Sequence, residues 1–385
     1  MGKDRIARRT FLGRSTALAA GLALAGASCA KAIRRKLPPT ASIINYNPRM
    51  NYRRLGKTGV YVSEVSLGGH WKNRTGGRYW DSFERDEVPE DVAKNRTEII
   101  SACIDAGINM VDITTSAECC AYGLALRHRR EKFMIAADDH ILSIRNPANR
   151  AVEKQLFCVD QCLRRLNMNY MDVWRPQVMM DGSNTDDEIK VLVETFQKVH
   201  EQGKARFLGI SSHNRNFLKH IIETFPEFQM IIFPCTAKTK ALTAGSPPPK
   251  REDVVEIEAG AGGKDLSTSI FDAVKKLNVG VVTIKPFSGG SLFPGSAQFP
   301  VLDPGSKEYH DVARLTLQCI LVNDAISATV PGMTTVYEVQ NNAGASYARM
   351  ASLDWGDAKK FTEAADRMWA SLPEEYAWLR DWEWV

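Results

Sequence analysis

Short apolar runs alternate with longer amphipathic stretches from residue 50 onward. The runs cover residues 60–67, 109–113, 133–137, 171–174, 205–210, 230–233, 279–284 and 328–330. They are rich in β-branched or aromatic residues and short enough to be strands. Most intervals between them are long enough for a crossover helix. In residues 153–166 and just before, Val152, Leu156, Val159, Cys162, Leu163 and Leu166 recur at helical spacing. Residues 185–200 do the same with Ile189, Leu192, Val193, Phe196 and Val199, and Asp186, Asp187 and Glu188 suit the first turn of a helix. Eight strand-then-helix units in succession predict an α/β fold, a (β/α)8 TIM barrel. An open doubly wound sheet is the competitor. It usually announces a Gly-x-Gly-x-x-Gly turn, and here that turn reads Leu67-Gly68-Gly69-His70-Trp71.

A barrel carries its chemistry at the C-terminal ends of its strands. Those ends supply His70, Asp112, Asp138, Asp139, His140, Gln177, Ser211, Ser212, His213, Cys235, Lys285 and Gly332. Together they make a polar ring, which is the candidate site.

Charge changes the picture at the N-terminus. The 385-residue chain carries a formal +5. Nine Lys and Arg against Asp4 alone lie in residues 1–36, so the remainder is at −3. A slightly acidic body gives no support to a nucleic-acid role. Within the basic leader, Arg8-Arg9-Thr10-Phe11-Leu12 precedes a soft, Ala/Gly-rich apolar stretch ending near Ala27. This reads as a twin-arginine export signal, which implies the twin-arginine machinery as a partner and a periplasmic or extracytoplasmic location. Cys29 lacks the bulky aliphatic residue three positions earlier that lipidation favours, so no lipid anchor is expected. No apolar run reaches the roughly 20 residues that span a bilayer. Seven cysteines remain after the leader, an odd number with no Cys-x-x-Cys, so neither a disulfide framework nor an iron–sulfur cluster is indicated.

Several segments in order resemble one family. Arg53-Arg54-Leu55-Gly56-Lys57-Thr58-Gly59, followed by Leu67-Gly68-Gly69, is similar to the opening of an aldo-keto reductase. Asp105-Ala106-Gly107-Ile108-Asn109-Met110-Val111-Asp112 resembles its second strand. Residues 169–174, 203–213, 280–290 and 330–342 resemble its fourth, fifth, seventh and eighth strands with their loops. The resemblance implies a nicotinamide cofactor, NADP or NAD, bound across the barrel mouth for hydride transfer to or from a carbonyl. By position, Ser211, Ser212 and Gln229 would hold the nicotinamide. Lys285, Pro286, Phe287, Ser288, Gly290 and Leu292 would line the pyrophosphate and ribose. Gly332, Thr334, Glu338 and Asn342 would meet the adenosine end. Thr334 stands where the family often has an arginine suited to a 2′-phosphate, which weakens the case for NADP over NAD.

The chemistry departs from the family. Its Asp-Tyr-Lys-His set maps onto Asp112, a position near Ala117, Asp138 and Gln177. Three of the four expected types are missing. Tyr122 is ten residues beyond Asp112 and reaches the mouth only if the loop is rearranged. The candidate catalytic residues are therefore Asp112, Asp138, His140 and Gln177, with His213 and His70 as further neutral-pH acids or bases. Two carboxyls as close as Asp112 and Asp138 could leave one with a raised pKa. Three functions stay open. The chain is an exported NAD(P)-dependent oxidoreductase with a non-standard proton donor, a nicotinamide- or substrate-binding pseudoenzyme, or a metal-dependent barrel hydrolase or lyase using the mouth acids. The expected organisation is a leader and basic linker over 1–36, the barrel over 50–345 and a Trp-rich helical tail over 346–385. Residues 236–268, rich in Gly and Pro, would overhang the mouth after the sixth strand.

Overall fold

The computed structural model describes residues 40–71, 86–239, 269–293, 307–347 and 355–382. The leader (1–36) and most of the expected overhanging loop (240–268) lie outside them. Two short strands open the chain, β1 (Tyr52–Arg54) and β2 (Tyr61–Ser63), paired antiparallel. A parallel sheet follows in sequence order: β3 (Met110–Ile113), β4 (Met134–Ala137), β5 (Met171–Trp174), β6 (Ala205–Ser211), β7 (Phe228–Pro234), β8 (Gly280–Ile284) and β9 (Ala328–Thr329). Residues 65–67 close the cylinder. Val65 bridges Thr329 on β9 and Leu67 bridges Val111 on β3, both parallel. Helices α1 (Glu90–Ala106), α2 (Ser116–Ala125), α3 (Val152–Leu166), α4 (Asp186–Glu201), α5 (Arg215–Thr224), α6 (Ile270–Leu277), α7 (Lys307–Leu321) and α8 (Val336–Tyr347) each follow one of these strands or the closing segment. The architecture is the eight-unit (β/α) barrel.

One expectation is corrected. The apolar run at 60–67 is not a single strand. Its first half belongs to the β1–β2 hairpin and its second half to the barrel. The hairpin plugs one end, placing Leu55 and Val62 in the barrel interior beside Met110, Met134, Val173, Met230, Ile232 and Val282. Gly56, at φ 50°, makes the tight approach possible, because a Cβ there would strike the backbone of Gly280. A second, larger core lies between the outer face of the strands and the helices. Parallel strands covered on both faces are largely apolar, as β4 is, while β5 admits Asp172, paired on the outer wall with Arg130 and Arg206.

Local signals set the helix ends. Thr185 and Glu188 form a capping box at the start of α4. Asn167 ends α3 in the left-handed region at φ 52°. After the barrel, α9 (Trp355–Ala370) packs on α7, with Ala364 and Met368 meeting Leu292, Phe293 and Val312. A 3₁₀ segment, Glu374–Trp382, completes the described tail.

Arg53 pins the hairpin to the barrel wall. Its Nε lies 2.6 Å from Oε1 of Glu64, a carboxylate 1% exposed, and its other nitrogens donate to the carbonyls of Leu321, Asn323 and Ile326. Arg53→Met should strand that carboxylate and cost about 3–5 kcal/mol of stability, read by urea unfolding. A loss below about 1 kcal/mol would show that the ion pair does not fasten the plug.

Candidate functional site

Side chains alternate across a strand, so the inward row of each strand can be followed upward. Met110 leads to Asp112, Met134 and Ala136 lead to Asp138, and Val173 leads to Arg175 and then Gln177. All four polar residues are buried at the C-terminal ends of β3, β4 and β5. The opposite parity points out. Asp139 takes the hydroxyl of Ser116 and the guanidinium of Arg165 at 2.8 Å. Asp172 pairs with Arg130 and Arg206 on the outer wall. Asp139 is thus a brace between α2 and α3, outside the polar ring in which the sequence placed it.

Arg175 is the cation of the site. Its Nε lies 2.7 Å from Oδ1 of Asp112, and Nη2 donates to the carbonyl of Ile113 at 3.1 Å. The Nε–H does not aim along the short vector, so the contact is a close ion pair rather than a linear hydrogen bond. Burial pushes the Asp112 carboxyl up and Arg175 pulls it back. Asp138 accepts the backbone N–H of Gln177 at 3.0 Å, and burial raises it to about 6 against the pull of Ser143 and Arg175. Gln177 turns its amide onto the carbonyl of Thr114 at 3.0 Å. Arg175 therefore acts on both Asp112 and Asp138, with Arg145 a second cation near Asp138, and the position expected to hold the family's lysine faces an arginine from the next strand.

Glu118, on the first turn of α2, was not anticipated. It is buried beneath the loop that leaves the closing segment. Its Oε1 accepts the N–H of His70 at 2.6 Å and its Oε2 accepts that of Thr114 at 2.7 Å. Any side chain at Gly69 would collide with this carboxylate. Burial raises its pKa to about 7, with Asp112 adding to the rise and Arg175 opposing it. His70, at φ 50°, holds Nδ1 3.5 Å from the same oxygen while its side chain stays 47% exposed. Tyr122 does not reach the mouth. Its hydroxyl is buried and donates to the carbonyl of Gly68 at 2.8 Å.

The cofactor positions lie along the other arc, after β6, β8 and β9. Ser211 ends β6. Ser212 donates to the Met179 carbonyl and accepts from the N–H of Asn214, so its hydroxyl supports the loop. Gln229 does not join them. It is the second residue of β7, at the opposite end of the barrel, where its Oε1 accepts the N–H of Leu208 at 3.3 Å. The turn 285–290 holds Lys285, Ser288, Gly289 and Gly290 at positive φ. Phe287 packs edge-on against Phe293. Ser288 donates to the sulfur of Met368 and Leu292 is fully buried, so both side chains face the tail helix. Gly332 approaches the Gly69 carbonyl, closing the arc. Glu338 accepts the N–H groups of Thr334 and Thr335 at 2.6 and 3.1 Å, and Asn342 is buried on α8. Pro286 keeps its place in the 285–290 turn.

The tail reaches this arc. Trp378 stacks on His213 with ring centroids 4.2 Å apart and an 11° tilt. Nζ of Lys285 lies 5.6 Å from the Tyr376 ring centroid and 5.7 Å from that of Trp378, and Tyr376 covers Gly289. Burial, with Lys285, Arg145 and His70 nearby, drives His213 well below its ordinary pKa. It is a neutral ring under the tail. His140 is half-buried beyond Asp139, its backbone N–H bonded to the Thr114 carbonyl at 3.1 Å. Among the described residues, no group of three or more His, Cys, Asp or Glu gathers to hold a metal. A guanidinium already sits against Asp112, one of the mouth acids a metal would need.

Glu118 moves from an ordinary 4.5 to about 7 and Asp138 from 3.8 to about 6. Both folded values lie above the unfolded ones, so the native state binds more protons in between. Their contribution is full below the unfolded values and is lost as pH rises through the folded ones, on the order of 3 kcal/mol for each. Between about pH 4.5 and 7.5 the wild type should lose stability relative to Glu118→Gln. Parallel urea curves for the two proteins across that range would refute the buried, protonated state of Glu118.

No family model matches the chain. It is 23% identical over 320 residues to the L-galactose dehydrogenase of Arabidopsis thaliana, covering 77% of this chain and 88% of that one. It is 22% identical over 320 residues to an uncharacterized oxidoreductase of Bacillus subtilis, covering 78% and 92%. Among solved structures, the holo form of a Bacillus halodurans aldo-keto reductase aligns with a TM-score of 0.54 and 19% identity, over 85% of this chain and 99% of that one. A Klebsiella pneumoniae aldo-keto reductase in complex with NADPH aligns with a TM-score of 0.54 and 14% identity, over 84% and 96%. The chain therefore has the fold of these aldo-keto reductases.

Proposed function

We propose that the protein is an oxidoreductase of aldo-keto reductase type. It binds NADP or NAD across the arc from Ser211 to Gly332 and exchanges hydride with a carbonyl or alcohol, the proton passing through a group other than tyrosine. The observation that carries this reading is Asp112, buried at the end of β3 and held by Arg175 at the floor of the mouth. A buried ion pair of this kind is expensive to assemble and cannot be justified by stability alone. Its fixed field is the kind of preorganised electrostatics that acts on charge developing at a reacting oxygen.

The arc fits a dinucleotide in its backbone. Tyr376 covers Gly289, so Gly290, which carries no side chain, and the Lys285 cation are what the turn would offer a phosphate. Such turns suit phosphates, and the bound cofactor would supply the hydride. The relatives add support, since one is named a dehydrogenase and one is solved with NADPH. The leader supports export by the twin-arginine route, which carries folded proteins and so suits one that leaves the cytoplasm with its cofactor bound. The pseudoenzyme reading draws on Tyr122, whose phenol is tied to Gly68 and withheld from the mouth.

Protein lacking residues 1–36 should bind one NADPH or NADH, followed by quenching of tryptophan emission and by calorimetry. Arg175→Met should lower carbonyl reduction at least about 10²-fold while keeping dinucleotide affinity within a few-fold. Absence of saturable binding at millimolar dinucleotide would end the oxidoreductase reading. Binding without turnover of any aldehyde, ketone or alcohol offered would leave the pseudoenzyme.

A further inference from the structure

We propose that His70 is the catalytic acid and base of this mouth and that Glu118 is its positioning residue. The inference rests on the oxidoreductase reading and names the group that takes the tyrosine's place. His70 lies on the loop directly after the strand that closes the barrel, and its half-exposed ring can meet a bound molecule. Glu118 holds it twice. One carboxylate oxygen accepts the His70 backbone N–H and also faces Nδ1 of the ring at 3.5 Å. The other oxygen is anchored by Thr114, at the end of β3, so the carboxylate is fixed relative to Asp112. Gly69 is what permits this, since it lets the backbone pass directly over the carboxylate. Nδ1 is the ring nitrogen nearer Glu118, which assigns the proton transfer to Nε2.

The other mouth histidines are placed for different work. His213 is covered by Trp378 and held neutral, which unfits it to donate a proton. His140 follows the outward-facing Asp139. The charged and titratable groups around the pair come from several elements. Asp112 and Arg175 act on Glu118 from β3 and from beyond β5, Tyr122 and Cys119 lie near it on α2, and His213 faces His70 across the mouth.

In reduction, the carbonyl carbon gains a hydride from the reduced nicotinamide and the C=O π pair moves to oxygen. That oxygen takes the proton from Nε2 of the imidazolium, forming O–H and leaving neutral imidazole. The nicotinamide is oxidised by two electrons and the carbonyl is reduced by two. Solvent returns the proton to the ring. In alcohol oxidation the same steps run backward, with His70 as base. General acid–base help of this kind is worth about 10²–10⁴-fold.

Two measurements test the pair. The first needs neither cofactor nor turnover. Imidazole titration by NMR in the apo protein should give His70 a curve with two inflections, its own and that of Glu118 at about 7, the second absent in Glu118→Gln. A wild-type curve with a single step at the ordinary value of about 6.5 overturns the proposal even if Glu118→Gln fails to fold. The second uses 4-nitrobenzaldehyde with NADPH. His70→Gln should cost about 10²-fold in kcat or more with NADPH affinity unchanged, and added imidazole should restore part of the activity of His70→Ala. Glu118→Gln should displace the pH profile as well as lower the rate. His70→Gln activity within about threefold of wild type overturns the proposal. A wild type that binds NADPH but reduces no carbonyl overturns it while leaving cofactor binding intact. Failure to bind dinucleotide sinks the underlying reading instead, and the titration still decides whether Glu118 governs His70.

Discussion

Arg175 is the constraint on which the mouth depends. Asp112, Asp138 and Glu118 are all buried beneath the mouth, and burial pushes each toward its neutral form. A single guanidinium, itself 1% exposed, opposes all three shifts. Neither partner tolerates the loss of the other, because a lone charge in such a place costs several kcal/mol. The contact also ties the strand that bears Asp112 to the strand that delivers Arg175, two places around the sheet. The ends of β3, β4 and β5 and the start of α2 are therefore assembled as one electrostatic unit.

Much of the barrel was readable because its strands are buried on both faces. Continuous apolar runs such as Met134-Ile135-Ala136-Ala137 stand out from the amphipathic helices that flank the strands. The run at 60–67 misled because two different burials, one in the hairpin and one in the sheet, produce the same apolar pattern. Arg175 could have been found from parity alone. It is two residues beyond Val173 and two before Gln177, on the row that fills the barrel. Attention to acids, bases and family positions passed over it. Gln229 shows the opposite failure. Its type suits an amide ligand, but a residue's place along a strand decides which end of the barrel it serves, and this one lies at the start. Glu118 had no local signal. It sits at an ordinary acidic first-turn position of α2, and its burial comes from the backbone of Gly69, remote in sequence.

The tail is a third determinant of the mouth. Its sequence reads as generic helix with tryptophans, suited to packing anywhere on the barrel. In the structure Met368 engages Ser288, Tyr376 covers Gly289 and Trp378 lies on His213. These contacts fall on the arc opposite the acids. The mouth is thus divided between a charged half built by consecutive strands and an aromatic half built by the last residues of the chain. What enters must satisfy both at once.

The closing of the cylinder has a consequence for how the site would fail. The seam is residues 64–67, hydrogen-bonded to Thr329 on one side and to Met110 and Asp112 on the other, and it runs without interruption into Gly68, Gly69 and His70. The piece of chain that closes the sheet and the loop that meets Glu118 are continuous. Breathing at the seam and loss of register at the mouth are therefore a single motion. Its rate would be set by barrel mechanics, so a change at the hairpin floor, far from any ligand, would be transmitted to the imidazole as a change in how often it is in place.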